Sequence, residues 1–457
     1  MDTSALNLTR TWFDEHLREA LERSRKTGHR EWFAKSLSIP PISLINAFAG
    51  YPGFGWFFST PEGRSQLGLG LSRDWRWQEG AKLERMESQA RRLADAGLPP
   101  ETLVVGGQAF SSGSAWADWP DIYIALPMVQ WVQDKGQARL TVILPIQGDL
   151  PPEAYHQKLE PIWRALFGEE GTAHPWLGQP ARIESVPSRQ EWMQLVEQAA
   201  RDIRQERLDK VVLARQLKLI YPRTVAVPVV LENLVSQNPD ATVFALRHQN
   251  HVFLGATPEV LATVKAGVVE TMCLAGSAPR GLTPEEDFRL ADAMMHDAKI
   301  VEEHEVVKRH VRNAVQPHTS ELAMPDEPGL KKLPSVQHLF TPVRGTLSRE
   351  SSIWSVVSTL HPTPAVAGYP VASATQYLAH HEPFSRGWYA GTIGWANLSG
   401  DGQWMVSLRS GLVHDTRVAL YAGCGIMGDS DPESELRESD WKFNTMLSAL
   451  EIEGGAL

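Results

Sequence analysis

The stretch QWMVSLRSGLVHDTRVALYAGCGIMGDSDPESELRESDWK, at residues 403–442, decides the fold class of this chain. It predicts two neighbouring strands, at 404–413 and 418–422, followed by a helix. Strands that follow one another closely favour antiparallel pairing over regular alternation with helices. Earlier runs predict more strands of the same kind, at 244–248, 252–255 and 391–396. The chain is therefore expected to be an α+β protein.

The final helix separates its polar residues from its apolar ones. Asp431 followed by Pro432 predicts the helix start. At about 100° per residue, Glu435, Glu438 and Lys442 fall within an arc of about 60°. The apolar stripe consists of Leu436, Phe443, Leu447 and Leu450. The polar arc is either a ligand-binding face or an ordinary surface, with acidic residues that suit the helix dipole and an i, i+4 ion pair.

Two more helices are predicted upstream of this stretch. Ser188 and Glu191 form a capping-box pattern, and apolar residues at helical spacing continue to Leu208, directly before a strand at 210–214. A second helix is expected to start at Thr283 with proline in its first turn and to run to about residue 315, with a break near 296–297.

The run EEHE at 302–305 lies on this second helix. Consecutive helical residues point about 100° apart, so no more than one or two of the four face a common site. No HExxH zinc pattern is present. The run is either a solvated charged face or the source of one carboxylate for magnesium, which keeps several waters and needs few protein ligands.

The N-terminal part has a different character. Residues 1–185 contain aromatic and glycine-rich stretches between β-like runs such as 122–126 and 140–144. The proline-rich segment 150–187 is expected to be a loop that separates the two halves.

Composition limits the function classes. Of 457 residues, 42% are hydrophobic and 21% charged, as in a soluble globular protein with a large core. No apolar run is long enough for a membrane span and the start is unlike a signal peptide, so a cytoplasmic location is expected. Two cysteines exclude a disulfide framework. A net charge of -10 argues against nucleic acid as a partner, whereas an anionic small molecule would need local cations or a divalent metal.

Two other features are ambiguous when taken singly. GCGIMG at 423–428 matches the dinucleotide fingerprint, but acidic residues follow it and only 29 residues remain, so that interpretation is rejected. Lys210 and Glu259 have the chemistry of a base and an acid, although a lysine is a base only when burial or a nearby cation lowers its pKa. Singly, both are typical surface residues.

Eight short motifs occur in a fixed order between residues 188 and 452. They are KVVLAR (210–215), GATPE (255–259), AGS (275–277), EH (303–304), LHPTP (360–364), WYAG (388–391), SLR (407–409) and ELRE (435–438). In this order they resemble the chorismate-utilising family, which includes isochorismate synthase, salicylate synthase and the large subunits of anthranilate and aminodeoxychorismate synthases. Chance agreement of all eight is far rarer than any single match.

The resemblance implies one large fold of antiparallel β-sheet layers surrounded by helices. Residues 1–185 would complete the sheet layers, and residues 186–457 would form the chorismate-binding catalytic region. Magnesium is the implied cofactor, held by Glu303 and Glu438 with Glu435 beside the second, and bound to the ring carboxylate of chorismate.

The resemblance also implies a set of substrate contacts. Arg409 would pair with the enolpyruvyl carboxylate, because a planar guanidinium binds two oxygens at once. The other implied pocket residues are Lys442, Gly276, Ser277, Gly425, His361 and Tyr389. Ile300 and Val301 depart from the family, which more often has a polar residue and an arginine before the metal-binding glutamate. That departure weakens the expected support around Glu303.

The nucleophile distinguishes the members of the family. Water-using members resemble this chain in having a lysine at Lys210, and ammonia-using members tend to have threonine where this chain has Ala365. The implied reaction is removal of a proton from water by Lys210, attack at ring carbon C2, and protonation of the departing C4 hydroxyl by Glu259. Three carboxylates close to Lys210 would oppose its role as a base unless magnesium offsets them.

The expected activity is therefore that of an isomerase that converts chorismate to isochorismate. The long N-terminal half favours the menaquinone branch over siderophore supply. Salicylate synthase, an ammonia-using synthase and a non-catalytic chorismate-binding relative remain as alternatives. No membrane or nucleic-acid partner and no glutaminase subunit is expected, and the protein would be a monomer or a homodimer.

Overall fold

The computed structural model describes residues 3–78, 80–168, 177–281, 283–332 and 336–452. Within these ranges, none of the helices combines the length and apolar character that crossing a bilayer requires. The helices of the described ranges are α1 (Thr3–Thr27), α2 (Leu44–Gly50), α3 (Met86–Asp95), α4 (Pro152–Phe167), α5 (Arg189–Arg204), α6 (Val227–Gln237), α7 (Pro284–His296), α8 (Ala298–Val315), α9 (Ile353–Leu360), α10 (Val371–His381) and α11 (Pro432–Ala449).

The strands form an extensive antiparallel sheet. They are β1 (Glu31–Ile39), β2 (Gly55–Ser59), β3 (Ser65–Trp77), β4 (Leu103–Gln108), β5 (Ile122–Asp134), β6 (Gln137–Ile146), β7 (Arg182–Val186), β8 (Lys210–Ile220), β9 (Thr242–His248), β10 (His251–Thr257), β11 (Val260–Lys265), β12 (Val268–Pro279), β13 (Thr319–Ala323), β14 (Gly329–Lys332), β15 (Val336–Leu347), β16 (Gly368–Tyr369), β17 (Thr392–Asn397), β18 (Gly402–Val406), β19 (Ser410–His414) and β20 (Arg417–Ile426). With the surrounding helices, they confirm the α+β class predicted from the sequence.

Two runs of paired strands meet at β5. One run follows the order β1, β6, β5, β3, β2, β9, β10, β19, β20, β8 and β7. The other leaves β5 through β4 and continues with β17, β18, β11, β12 and β15. We call these the first and second strand runs. Strands from residues 1–185 and from residues 186–457 are hydrogen-bonded neighbours in both of them.

The chain crosses between the two strand runs at two places that lie side by side. It leaves β10 in the first run and enters β11 in the second at 258–259, and it leaves β18 in the second run and enters β19 in the first at 407–409. Backbone hydrogen bonds join the two crossings, from Val406 N to the Glu259 carbonyl at 3.0 Å and from Ala256 N to the Arg409 carbonyl at 3.1 Å. We call this place the strand crossing.

Apolar helix faces cover the sheet. Buried residues of α1, α4, α6 and α11 form a core with one group of strands, while those of α5, α8, α9 and α10 form a core with another. An aromatic cluster that includes Trp56, Trp119 and Trp388 fills a third region. Burial of this apolar area is the main source of folding free energy.

Helix starts agree with the capping patterns of the sequence. The Ser188 side chain accepts from Glu191 N and the Glu191 carboxylate accepts from Ser188 N, so the capping box is formed. Helix α5 ends at Arg204, before the expected Leu208. The predicted break near 296–297 is confirmed, since α7 ends at His296 and α8 starts at Ala298.

The loop predicted for 150–187 is wrong. This segment contains α4 and β7, with residues 169–176 outside the described ranges. Pro152 is compatible with the first turn of α4, where its missing N–H costs nothing. Pro161 lies inside the helix, where it removes one hydrogen bond. Six buried apolar residues offset that loss: Tyr155, Leu159, Ile162, Trp163, Leu166 and Phe167.

Candidate active site

A cavity of about 230 Å³ lies at the strand crossing. Its wall consists of Val212, Pro258, Glu259, Ala365, Val366, Arg386, Tyr389, Ala390, Leu408, Arg409, Tyr421, Ala422, Gly423, Cys424, Gly425 and Lys442. Six of the residues predicted from the sequence are among them: Glu259, Ala365, Tyr389, Arg409, Gly425 and Lys442. Of the others, Lys210 lies behind Gly425, and Glu435 and Glu438 are on the same helix as Lys442.

Arg409 reaches the cavity from a break in the sheet. The continuous strand predicted over 404–413 is wrong, because β18 ends at Val406 and β19 begins at Ser410. Arg409 has φ +48°, a left-handed conformation that is uncommon outside glycine. Burial lowers the pKa of its guanidinium, partly offset by the charges of Tyr389 and Glu438. The strand crossing therefore places the desolvated, positively charged guanidinium of Arg409 in the cavity wall.

Glu259 lies at the same crossing, opposite this break. Its backbone N donates to the Thr257 hydroxyl at 3.3 Å, and the same hydroxyl donates to the Val406 carbonyl at 2.6 Å. Burial raises the pKa of the Glu259 carboxyl to about 7, although the charge of Lys442 acts in the opposite direction. A carboxyl with this pKa is available in both the protonated and ionised forms near neutral pH.

Lys210 lies against the cavity behind Gly425. It is the first residue of β8, and its Nζ donates to Glu303 Oε1 on α8 at 2.6 Å. Strand β20 runs beside β8, with Gly425 paired to Val212. A Cβ built on Gly425 would lie 2.9 Å from Lys210 Cε, so any side chain there would displace the end of this lysine from its observed position. Lys210 and Glu303 are thus brought together, as the sequence predicted.

Helix α11 contributes the polar arc predicted for it. Lys442 Nζ donates to Glu438 Oε1 at 2.6 Å and to the Gly423 carbonyl at 2.8 Å. One turn earlier, Glu435 Oε1 accepts from the Ser430 hydroxyl at 2.8 Å. Burial raises the pKa of the Glu435 carboxyl, and the nearby charge of Glu438 acts in the same direction. The apolar stripe of α11 is buried, with Leu436, Phe443, Leu447 and Leu450 in the core.

The three predicted metal ligands do not form one cluster in this arrangement. Among the described residues, no group of three or more His, Cys, Asp or Glu side chains is placed to hold an ion together. Glu303 and Glu438 each pair with a lysine. Glu435 Oε2 is buried and has no hydrogen-bond partner in the described ranges. This orphaned oxygen and the two exchangeable lysine contacts fit a hard cation, which prefers carboxylate oxygens and keeps its own waters.

Gly276 lies outside the cavity wall and shapes the backbone nearby. It has φ +75° and forms a bulge in β12, where pairing with β15 shifts between Ala275 and Ser277. A Cβ on Gly276 would lie 2.5 Å from Ile300 Cγ2. Gly276 therefore lets α8, which carries Glu303, pack closely against β12. The Ser277 side chain lies outside the described part of the structure.

His361 is buried beside the site rather than in its wall. Its Nε2 hydrogen-bonds the Phe110 carbonyl at 3.1 Å, and burial lowers the pKa of its imidazole to about 4. His361 is therefore neutral at physiological pH. Tyr389 does line the cavity, with its ring stacked on Tyr421 at 5.2 Å between centroids.

Arg386 and Tyr421 are among the wall residues that sequence reasoning missed. The Arg386 guanidinium is buried and pairs with Glu382 at 2.5 Å, while it also donates to the Val366 carbonyl at 2.9 Å. Arg386 directly precedes Gly387 and the predicted WYAG motif, so its place next to that motif was an available signal. No comparable signal marked Tyr421, because the orientation of its side chain depends on the pairing of β20 with β8.

Comparison with known proteins agrees with this geometry. Residues 16–451 match the family model described as chorismate binding enzyme. The isochorismate synthase MenF of Bacillus subtilis is 32% identical over 96% of this chain and 97% of its own length. The salicylate biosynthesis isochorismate synthase of Pseudomonas aeruginosa is 43% identical over 59% of this chain and 57% of that protein.

Comparison with solved structures indicates the same family over nearly the whole chain. The menaquinone-specific isochorismate synthase MenF from Escherichia coli superposes with a TM-score of 0.78 at 27% identity, covering 95% of this chain and all of that one. The family model, the Bacillus subtilis relative and the Escherichia coli structure agree over nearly the full length. The chain belongs to the chorismate-binding enzyme family.

Proposed function

We propose that this protein is an isochorismate synthase, an isomerase that converts chorismate to isochorismate with magnesium as cofactor. The observation that carries the proposal is one cavity lined by a carboxyl of raised pKa, Glu259, and by the cations Arg409 and Lys442, with the side chain of Lys210 directly behind Gly425 of its wall. The relatives that cover most of the chain bear this activity in their names, which supports the same conclusion.

The cations of the site suit a substrate with two carboxylates. The Arg409 guanidinium is desolvated and makes no hydrogen bond or ion pair with the described residues, so its N–H groups are free for a carboxylate. Lys442 lies across the same cavity. Chorismate has a ring carboxylate and an enolpyruvyl carboxylate, and we assign the latter to Arg409.

Glu303 and Glu438, with Glu435 beside them, would hold magnesium. When bound, the ion supplies positive charge for the ring carboxylate and fixes the orientation of the substrate. In the structure Lys210 Nζ donates a hydrogen bond to Glu303 Oε1 at 2.6 Å. A cation held by Glu303 would place positive charge close to Lys210, and nearby positive charge favours the neutral amine that the role of base requires.

The reaction needs one base and one acid on this chain. Lys210 removes a proton from water as its oxygen bonds to ring carbon C2. Both ring double bonds shift by one position, and the C4–O bond breaks. Glu259, protonated, gives its proton to the departing hydroxyl, which leaves as water. One water enters and one leaves, so the reaction is an isomerisation, and general acid–base assistance contributes about 10²- to 10⁴-fold.

We assign the product to menaquinone biosynthesis. The Escherichia coli structure described as menaquinone-specific matches 95% of this chain, N-terminal half included. The relative named for salicylate biosynthesis aligns with only 59% of the chain. Both names describe an isochorismate synthase, so the choice of pathway does not alter the proposed reaction.

Product analysis tests the proposal directly. Purified protein is incubated with chorismate and magnesium without ammonium, and the products are separated by chromatography. Isochorismate alone is expected. Accumulation of salicylate with pyruvate would identify a salicylate synthase, an aminated product that depends on added ammonium would identify an ammonia-using synthase, and binding without turnover would identify a non-catalytic relative.

Two substitutions connect the activity to the site. Lys210→Ala removes the base and Glu438→Gln weakens the metal site, and each should reduce kcat at least 10²-fold while the protein stays folded. Arg309→Gln, which changes an exposed residue further along α8, is a matched control and should retain activity. Near-normal turnover of Lys210→Ala would remove that lysine from the mechanism.

A further inference from the structure

Trp441 is an exposed tryptophan beside the active site. Its side chain lies on α11 directly before Lys442, and 54% of its surface is accessible to solvent. Exposure of so large an apolar group is unfavourable unless the ring makes a compensating contact. The contact is with Arg409, whose Cζ lies 5.1 Å from the Trp441 ring centroid.

Among the described residues, this cation–π contact is the directional side-chain contact of the Arg409 guanidinium. The guanidinium has no hydrogen bond or ion pair there, and the charges of Tyr389 and Glu438 act on it only at longer range. An arginine has many rotamers, and fixing one of them costs conformational entropy. Without the ring, the guanidinium would lose this contact and could occupy more rotamers before substrate arrives.

We propose that Trp441 is a positioning residue that holds the Arg409 guanidinium in the plane required to bind a substrate carboxylate. This inference rests on the proposed function for the identity of the substrate. A ring in contact with the guanidinium carbon leaves the N–H groups on the edge available to a bidentate carboxylate, so the two contacts are compatible. Trp441 thereby lowers the entropy cost of substrate binding.

The position of Trp441 on its helix supports the assignment. Trp441 is three residues after Glu438, so their side chains are neighbours on the surface of α11, and the charge of Glu438 also acts on Arg409. By contrast Phe288, the most exposed aromatic among the described large hydrophobic residues at 70%, has no cation over its ring in the described structure.

Steady-state kinetics of three variants test the proposal. Trp441→Leu keeps apolar bulk without a π face, and its KM for chorismate should rise about three- to thirty-fold, the range expected for a cation–π contact. Its kcat should change by less than about two-fold, because the carboxylate contact persists from bound substrate to transition state. Trp441→Phe should restore most of the affinity, and Phe288→Leu should match the wild type.

A double substitution separates positioning from general structural damage. In an Arg409→Lys background, the planar group is absent, so Trp441→Leu should raise KM little further. The proposal is overturned if Trp441→Leu leaves KM within about two-fold of the wild type, if it lowers kcat at unchanged KM, or if Phe and Leu at position 441 are equally impaired.

A binding measurement keeps this inference distinct from the proposed reaction. Calorimetry measures the Kd of chorismate with magnesium for Lys210→Ala and for Lys210→Ala/Trp441→Leu, neither of which needs to turn over. Weaker binding in the double variant than in Lys210→Ala supports the role of Trp441. Failure of the wild type to form isochorismate would overturn only the proposed function and would leave that role intact. Absence of chorismate binding to Lys210→Ala and of turnover by the wild type would overturn both.

Discussion

Glu259 shows how one residue couples stability to chemistry. The pKa of its carboxyl is raised to about 7 because burial penalises the charged form. A raised acid pKa stabilises the fold fully below the unfolded value near 4.5, and that contribution is lost as pH rises through about 7. Above about pH 7, the buried Glu259 carboxylate therefore lowers the free energy of unfolding.

Replacing Glu259 with glutamine should separate the two effects. Glu259→Gln should reduce kcat at least 10²-fold and raise the free energy of unfolding at pH 8 by up to about 3 kcal/mol, with no gain near pH 4.5. Denaturant unfolding at both pH values measures this difference. Glu321→Gln, at an exposed carboxylate on β13, is the control, because it shows how much the same change from carboxylate to amide alters the free energy of unfolding without burial.

The pH dependence of the wild type checks the same residue in a second way. Because the acid must be protonated to assist departure of the C4 hydroxyl, kcat/KM should fall as pH rises through about 7. A profile of kcat/KM between pH 5.5 and 9 measures this limb. A flat profile across this range would remove Glu259 from the role of acid.

Sequence reasoning located most of the reactive residues but not their surroundings. Lys210, Glu259 and Arg409 were identified by motif order, and the structure brings them to one cavity wall or directly behind it. The stack of Trp441 on Arg409 was not predicted. A contact between a helix and a sheet break depends on tertiary packing, which no local pattern encodes.

At the scale of elements, the close packing of α8 on β12 depends on Gly276. Gly276→Ala should destabilise the protein by about 2–4 kcal/mol, because its φ is +75° and the new Cβ would lie 2.5 Å from Ile300 Cγ2. Displacement of α8 would also move Glu303. Chemical denaturation and the magnesium dependence of turnover measure the two effects.

Gly267 offers a matched control for this substitution. Its φ of +76° is almost the same, but a Cβ built there meets nothing within 4 Å. Gly267→Ala should therefore cost only the backbone strain, about 1 kcal/mol. Equal losses for the two alanine variants would show that contact with Ile300 is unimportant.

Helix ends were predicted well where caps mark them, and poorly elsewhere. Ser188 and Thr283 act as N-caps as expected, and Asp431 accepts from Ser434 N at the start of α11. Helix α4 was missed because its prolines were read as loop signals. The break at Arg409 was missed because a left-handed non-glycine residue is held by its neighbours, here through the hydrogen bond from Ala256, and leaves no mark in composition.

At the scale of the molecule, residues 1–185 and 186–457 share one network of strands. Strand β4 pairs with β17, β2 with β9, and β7 with β8. A fragment of residues 186–457 would expose these strand edges and lose part of the core. We expect it to lack cooperative unfolding, whereas the full chain should unfold in one transition; circular dichroism against denaturant compares them. An independently folded, cooperative fragment would show that the halves are separate domains.

Magnesium should stabilise the whole molecule. An ion that binds only the folded state adds about 2.7 kcal/mol at a concentration 100 times its Kd. The Tm of the wild type should therefore rise with added magnesium and return when a chelator removes the ion. Glu438→Gln should show a much smaller rise, and calcium tests whether any divalent ion suffices. A Tm that is independent of magnesium would argue against the proposed metal site.

The sheet connectivity also bears on how the protein is made in the cell. Strand β4 ends at Gln108, whereas its partner β17 begins at Thr392. At 5–20 residues per second, a ribosome needs about 15 to 60 s to deliver the second strand after the first. During that interval β4 has β5 on one edge but lacks its neighbour on the other, so we expect the nascent chain to be a client for chaperones that shield open strand edges until synthesis is nearly complete.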